Sequence, residues 1–315
     1  MPSDAPVPKK ILLFGATGTI GKYILKALID DKTSFEKIGI FTSPGTSKDK
    51  ADKMKYLKEK GVEVLVGDVN NEENVKAAYK DYDTVVSALG RNVILAQILL
   101  LSLARNSSTI RTFYPSEYGT DIEYAPSSAI EKPHQLKLRV RKHIRENITN
   151  LSITYLVTGP YSDLYISKMD TAPQVGSFDV QQRKAVLLGT GKEEVSFTTM
   201  TDVGRLLVAA LKTPTIENPR TLKVNSFTAT PSDILAEFEN QMGKKWDVNY
   251  TSLGSLKGAE MKAWESNDPF ATAYTLRRIW TEGGTLYEKR DNWKIGDPAT
   301  ETLEEQVRKA IEAQT

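Results

Sequence analysis

The chain contains no cysteine and only two histidines, His134 and His143, in 315 residues. The first absence excludes disulfides and thiolate metal sites, and the second argues against a histidine-ligated metal centre. No apolar run approaches the roughly 18 residues of a membrane span. Charge is nearly balanced, at a formal +2, so no polyanionic partner such as nucleic acid is implied. There is no Gly-x-Ser-x-Gly, which argues against a hydrolase elbow. Internal repeats and low-complexity linkers are missing too. The opening MPSDAPVPKK lacks the apolar centre of a secretory signal and reads as a short flexible tail. These absences lead to the expectation of a soluble cytoplasmic protein, monomer or homodimer, with a small-molecule ligand and no membrane, nucleic-acid or metal partner.

What is present is a regular alternation. KILLF, KIGIFT, VEVLV, TVVSAL, TIRTFY and SITYLV read as strands, and most are followed by helical segments such as IGKYILKALI and VILAQILLLSLA. Strands apolar throughout, separated by helices, indicate a parallel sheet covered on both faces. The expected class is α/β, a Rossmann-type doubly wound parallel sheet with a smaller mixed α/β part that walls off a substrate pocket. Residues 1–157 are assigned to the nucleotide-type domain and 158–315 to the second region, sharing one core. In that second region KAVLLGTGKEEVSFTT reads as a hairpin around Gly189 and Gly191. TDVGRLLVAAL reads as a helix capped by Thr201 or Asp202, and PSDILAEFENQMG as a helix with Pro231 near its start and Gly243 past its end.

The first strand runs straight into GATGTIGKYI. A Gly-rich turn between strand and helix leaves backbone amides free to meet a pyrophosphate. Gly15 permits the tight turn, Gly18 close approach of the ligand, and Gly21 close packing of helix on strand. The spacing is G-x-x-G-x-x-G, so its placement in the β/α pattern carries the signal. Gly15, Ala16, Thr17, Gly18, Thr19, Ile20 and Gly21 are therefore candidate dinucleotide contacts. Ligands of such sheets lie beyond the carboxyl ends of the strands. There Asp68 and Val69 are candidates for the adenine, and Ala88, Leu89 and Gly90 for the ribose.

A second signal lies in EKPHQLKLRVRKHIR. On a helical wheel Leu136, Val140, Ile144 and Ile148 form one apolar arc, with Arg139, Lys142 and Glu146 opposite and Arg141 and Arg145 toward one edge. Lys137 falls inside the arc, the only charge there. A buried ammonium is costly without a partner or a task. The wheel alone leaves open whether this lysine snorkels or works. His134 lies beyond the arc and can border a pocket mouth; His143 reads as structural. The one Tyr-x-x-x-Lys, Tyr56 and Lys60, falls before the third strand and reads as chance.

Taken in order, GATGTIGKYI, GDVNN, VVSALG, TFYPSEYG and Lys137 in QLKLRVRKHI resemble the isoflavone reductase-like and NmrA-like proteins, atypical short-chain dehydrogenase/reductases that include plant phenylcoumaran benzylic ether reductases and many fungal relatives. The resemblance implies a fungal member working in secondary metabolism. It implies that Lys137 matches the family's active-site lysine, beside the nicotinamide ribose, with a proton-transfer role. It implies that LVTGPYSDLY lines nicotinamide and substrate, with Thr158, Gly159 and Pro160 near the cofactor and Tyr161 and Tyr165 near the substrate. Tyr118 of the PSEYG loop and His134 are likewise substrate-side candidates. The plant enzymes tend to carry arginine after strand two, where this chain has Thr42 and Ser43. The VTGPYSDLY stretch also differs, so the plant phenolic substrates do not carry over.

The loop after strand two, FTSPGTSKDK, has no acid at the strand end. NAD-preferring sites place one about 20 residues past the glycines. Thr42, Ser43, Thr46 and Ser47 can instead bond a 2′-phosphate, and Lys48 or Lys50 can supply charge. The sequence thus implies NADPH as cofactor. It implies a reductase delivering hydride to a small aromatic or polyketide-like metabolite with Lys137 in proton transfer. The alternative is an NADP-binding regulatory sensor of the NmrA type without catalysis.

Overall fold

A computed structural model describes residues 7–315; the first six residues of the expected N-terminal tail lie outside the described residues. Among the described residues, twelve strands form three sheets. They are β1 (Lys10–Phe14), β2 (Lys37–Thr42), β3 (Glu63–Val66), β4 (Thr84–Ser87), β5 (Thr112–Tyr114), β6 (Ser152–Val157), β7 (Ser177–Asp179), β8 (Lys184–Leu188), β9 (Val195–Phe197), β10 (Arg220–Lys223), β11 (Phe227–Ala229) and β12 (Asp247–Thr251). The main sheet is parallel, in the order β3-β2-β1-β4-β5-β6-β10. Its direction of winding reverses between β1 and β4, where Ile11 pairs with Ile38 on one side and Thr84 on the other. A crevice opens beyond the carboxyl ends of the strands at such a reversal.

The helices follow from the apolar spacing. They are α1 (Gly21–Asp30), α2 (Pro44–Asp49), α3 (Ala51–Glu59), α4 (Glu72–Tyr79), α5 (Ala96–Arg105), α6 (Gln135–Asn147), α7 (Ser162–Tyr165), α8 (Met200–Lys212), α9 (Pro231–Met242), α10 (Leu253–Glu265), α11 (Ala271–Thr281) and α12 (Leu303–Glu312). On one sheet face Ile24, Leu25 and Leu28 of α1 pack with Val203, Leu207 and Leu211 of α8; on the other, α4, α5 and α6 bury Val75, Leu100 and Ile144. The two-faced burial explains why β1 is apolar at four consecutive positions. Gly204 lets α8 lie on α1, since a Cβ there would sit 2.5 Å from the Tyr23 carbonyl oxygen.

Three expectations need correction. No hairpin forms at Gly189 and Gly191: β8 pairs with β7 and β12, whereas β9 leaves to pair with β11. The Glu193 carboxylate accepts the Thr190 and Lys192 amides, which turns the chain out of the first sheet. The cap of α8 is Thr199, whose hydroxyl accepts the Asp202 amide at 3.1 Å, not Thr201 or Asp202. Asp202 is instead buried, bonding Ser226 and the Glu301 amide. Residues after β2, expected as loop, fold as α2 with Ser43 at its cap. By contrast α9 begins at Pro231 and ends on left-handed Gly243, as expected.

Candidate active site

The glycine turn has the geometry its sequence demands. Gly15 has φ +80°, and a Cβ there would lie 2.5 Å from the Ala88 carbonyl oxygen. A Cβ on Gly18 would stand 3.2 Å from the Gly15 oxygen, and one on Gly21 only 2.0 Å from it, so Gly21 protects the turn itself. Ile20, at the head of α1, offers no side-chain cap, and no acid occupies the first turn. The amides of Thr19 and Ile20 have no acceptor among the described residues. By contrast α8, α9 and α12 are each capped by a threonine and carry an early acid. An open, acid-free helix start beside a glycine turn is suited to a phosphate.

Around that turn the other candidates take distinct places. Ala16 is buried in the core, and Thr17 presents its carbonyl to Lys50 Nζ at 3.4 Å. Lys48 is exposed on α2, so Lys50 rather than Lys48 is the lysine that reaches the turn. Lys53 follows on α3, its ammonium held below the usual lysine range by burial and by Lys50 and Lys22 nearby. Thr42 is buried at the end of β2, and the Ser43 hydroxyl is engaged as the cap of α2. Asp68 is exposed, its carboxylate turned onto the Asn70 amide, and Val69 packs against the core. The Leu89 carbonyl accepts the Ser116 hydroxyl at 3.0 Å, and Gly90 stands in open space.

The next strand ends are tied together. Thr158 and Gly159 both donate to the Gly119 carbonyl, at 3.1 and 2.9 Å. Gly159 adopts φ +66°, where a Cβ would lie 2.5 Å from the Ser196 oxygen. Pro160 is buried beside it, and the Tyr161 hydroxyl donates to the Tyr118 carbonyl at 2.6 Å.

Lys137 sits in the first turn of α6, half-buried, with Nζ donating to the Glu117 carbonyl at 3.2 Å. Burial depresses its pKa; the Glu117 charge opposes that shift, and Arg141 and Arg91 add to it. One turn along, Arg141 was placed by the wheel toward an edge. It is in fact 3 % exposed, paired with the Glu117 carboxylate at 3.0 and 3.1 Å and with Glu123 at 2.7 Å.

Lys137 opens into a cavity of about 570 Å³. Tyr118, His134, Gly159, Pro160, Tyr161 and Tyr165 line it as well. His134 is 2 % exposed, with Nδ1 at 3.2 Å from the Ser128 oxygen and Nε2 enclosed without a partner. Burial lowers its pKa, so the neutral ring is favoured. The Tyr118 hydroxyl is also enclosed and unpartnered. The far wall, which sequence reasoning missed, comes from α11: Leu276, Arg277 and Trp280. His143 bonds Ser102 away from this cavity, and Tyr56 lies exposed under Lys60 on α3.

A parallel sheet with a glycine turn at its winding reversal, and a lysine-bearing cavity at the same edge, defines the dinucleotide-type α/β class. Within it, the NmrA-like family model matches residues 8–265, and the chain belongs to that family. It is 27 % identical to an isoflavone reductase of Pisum sativum over 297 residues, 89 % of each chain. It is 26 % identical to phenylcoumaran benzylic ether reductase PT1 of Pinus taeda over 240 residues, 76 % of this chain and 74 % of that one. Among solved structures, the leucoanthocyanidin reductase–NADPH complex of Vitis vinifera superposes with a TM-score of 0.77 at 21 % identity, covering 96 % of this chain and 99 % of that one. No helix of the described residues is long and apolar enough to cross a membrane.

Proposed function

We propose that this protein is an NADPH-dependent reductase that transfers hydride to an electron-poor carbon of a small aromatic or polyketide-like metabolite. The observation that carries the reading is Lys137: an amine with a depressed pKa, anchored on one carbonyl and open to the cavity. The residues at the sheet edge fit a dinucleotide. Gly15 and Gly21 keep the turn free of side chains, the α1 amides stand open, and Lys50 and Lys53 supply positive charge. Bound NADPH supplies the hydride. Lys137 then gives a proton to, or holds the negative charge on, the atom that becomes anionic. Tyr118, Tyr161 and Tyr165 bound the substrate, and His134 offers Nε2 as an acceptor.

Relatives named as reductases of isoflavones and phenylcoumarans favour the same chemistry. A sensor that binds NADP without turnover has no use for an unpaired amine aimed into the cavity from one backbone carbonyl. The test is NADPH oxidation against aromatic ketones, quinones, benzylic ethers and unsaturated aromatic acids. Substrate-dependent oxidation that disappears in Lys137→Ala supports the reductase. Tight NADPH binding with no oxidation across the panel and a captured protein partner would establish the sensor.

A further inference from the structure

The cavity has an unbalanced charge. Arg91, Lys137 and Arg277 line it, and no aspartate or glutamate does. None of the three forms an ion pair among the described residues. Arg277 is the most unusual. It is 5 % exposed, yet its guanidinium reaches only two backbone carbonyls, Leu164 at 3.1 Å and Tyr165 at 3.2 and 3.3 Å. Its Nε makes no hydrogen bond among the described residues.

The buried Arg141 and Arg220 and the partly buried Arg278 differ. Arg141 meets Glu117 and Glu123, and Arg278, the next residue, meets Glu131, Glu260 and Glu282. Arg220 also lacks a carboxylate, but it spends all three nitrogens on Thr154, Tyr114 and the carbonyls of Thr213, Pro214 and Ala210. A buried cation without a counter-charge is costly, and the cost is relieved when an anion arrives.

Arg277 is also held ready. Its guanidinium lies 4.0 Å from the centre of the Tyr165 ring and 5.6 Å from that of Trp280. The carbonyls it holds end α7, so its plane is fixed before any ligand binds. Its Nη2 hydrogens are spent on those carbonyls, so the Nε–H and one Nη1 hydrogen are the donors left to meet a carboxylate oxygen. The family match ends at residue 265, before α11 begins, so this arginine belongs to the part of the chain outside it.

We propose that Arg277 is a specificity-determining residue and that the substrate is an aromatic carboxylic acid, its carboxylate paired with Arg277 and its ring against Trp280 and Leu276. The assignment deepens the reductase reading and rests on it. It orients the substrate with its acid group at the α11 wall and its reducible carbon toward Lys137.

The test uses the NADP⁺-saturated protein and matched probes: benzoate with benzamide, trans-cinnamate with cinnamamide, and 2-naphthoate with 2-naphthamide. Dissociation constants are measured by calorimetry. In the wild type at least one carboxylate binds about 10- to 100-fold tighter than its amide, the range of a charge-assisted hydrogen bond. R277M abolishes that ratio and R277K keeps part of it. Where R277M does not fold, the wild-type and R277K ratios decide. A ratio near one in every wild-type pair, or no binding of any probe, overturns the inference. So does an R277M protein that loses acid and amide affinity equally, for then the arginine only secures α7. NADPH affinity is measured alongside, because its loss in the wild type sinks the reductase reading instead.

Discussion

Arg141 and Glu117 form a two-pronged buried ion pair, and the carbonyl of the same glutamate holds Lys137. The guanidinium meets the carboxylate at 3.0 and 3.1 Å, and Lys137 Nζ meets the carbonyl oxygen at 3.2 Å. Two residues one helical turn apart thus grip the two polar ends of a single residue. The loop after β5 is thereby fixed against α6, and the ammonium is aimed by the backbone that the ion pair anchors.

The first prediction follows from that pair. Arg141→Met leaves the Glu117 carboxylate buried and uncompensated, at a cost of about 3–5 kcal/mol, read as a shift in the urea midpoint. Glu117→Gln should cost less, because Arg141 keeps its ion pair with Glu123 at 2.7 Å. The double variant should lose clearly less than the sum, because the pair fails as a unit. Additive losses would mean that the two side chains act separately.

The wheel found Lys137 and misplaced Arg141 for one reason. It records which face of α6 carries apolar residues, and it knows nothing of the loop 115–123 that folds over the helix edge with Glu117, Asp121 and Glu123. The strands β1, β2, β4, β5 and β6 were legible because burial on both faces leaves continuous apolar runs; β3, an edge strand that is only partly buried, was legible from the valines and leucine of VEVLV alone. The seventh, β10, reads RTLK, since as an edge strand it buries only Arg220 and Leu222. The α11 wall is distant in sequence and carries no motif. Yet the argument that singled out Lys137 applies there: on a wheel Arg277 falls between Trp280 and Tyr274. Of the two lysines that the loop offered, Lys48 and Lys50, Lys50 is the one whose ammonium reaches the turn, because the chain after β2 folds as α2.

A second prediction concerns the pH dependence of Lys137. Its folded pKa lies below the ordinary 10.5, so the unfolded chain binds the proton more tightly. Stability attributable to this group therefore rises with pH between the folded value and 10.5, and the full cost is present below that window. Lys137→Met removes the cost and also the bond to Glu117. Its stability relative to wild type should be highest near neutrality and fall as pH approaches 10.5. Turnover should drop about 10²- to 10⁴-fold, the usual share of acid–base catalysis. Denaturation at pH 7 and pH 10 checks the first statement, and kcat the second; unchanged turnover would make the lysine structural.

The glycines give a third prediction with an internal control. Gly21→Ala puts a methyl 2.0 Å from the Gly15 oxygen, so the turn must move; a loss of about 1–3 kcal/mol and of NADPH binding is expected. Gly90→Ala meets nothing within 4 Å, and Gly90 already has φ −73°. That variant should keep its thermal midpoint but bind NADPH more weakly, because the proposed path of the cofactor ribose crosses that space. Unaltered NADPH affinity in a folded Gly90→Ala protein would remove Gly90 from the cofactor path.

The last prediction is the choice of cofactor. Lys50 lies over the glycine turn, and Lys53 is depressed by burial and by the charges of Lys50 and Lys22. Like charges gathered without a counter-ion repel one another, and a 2′-phosphate arriving among them relieves the repulsion. NADPH should therefore bind tighter than NADH. Lys50→Ala should cost NADPH about tenfold, one charge-assisted contact, and leave NADH nearly unaffected. Exposed Lys48 should matter less, so Lys48→Glu weakens NADPH without abolishing its binding. Equal loss for both cofactors in Lys50→Ala would move that lysine from the 2′-phosphate to the pyrophosphate. The sign of the Lys53 shift supplies a second readout. A bound phosphate favours its ammonium and raises a pKa that burial and its lysine neighbours hold low. NADPH binding at alkaline pH should then take up protons, seen as a binding heat that changes with the ionisation enthalpy of the buffer. NADH, lacking the 2′-phosphate, should take up fewer, and equal uptake by the two would refute the assignment.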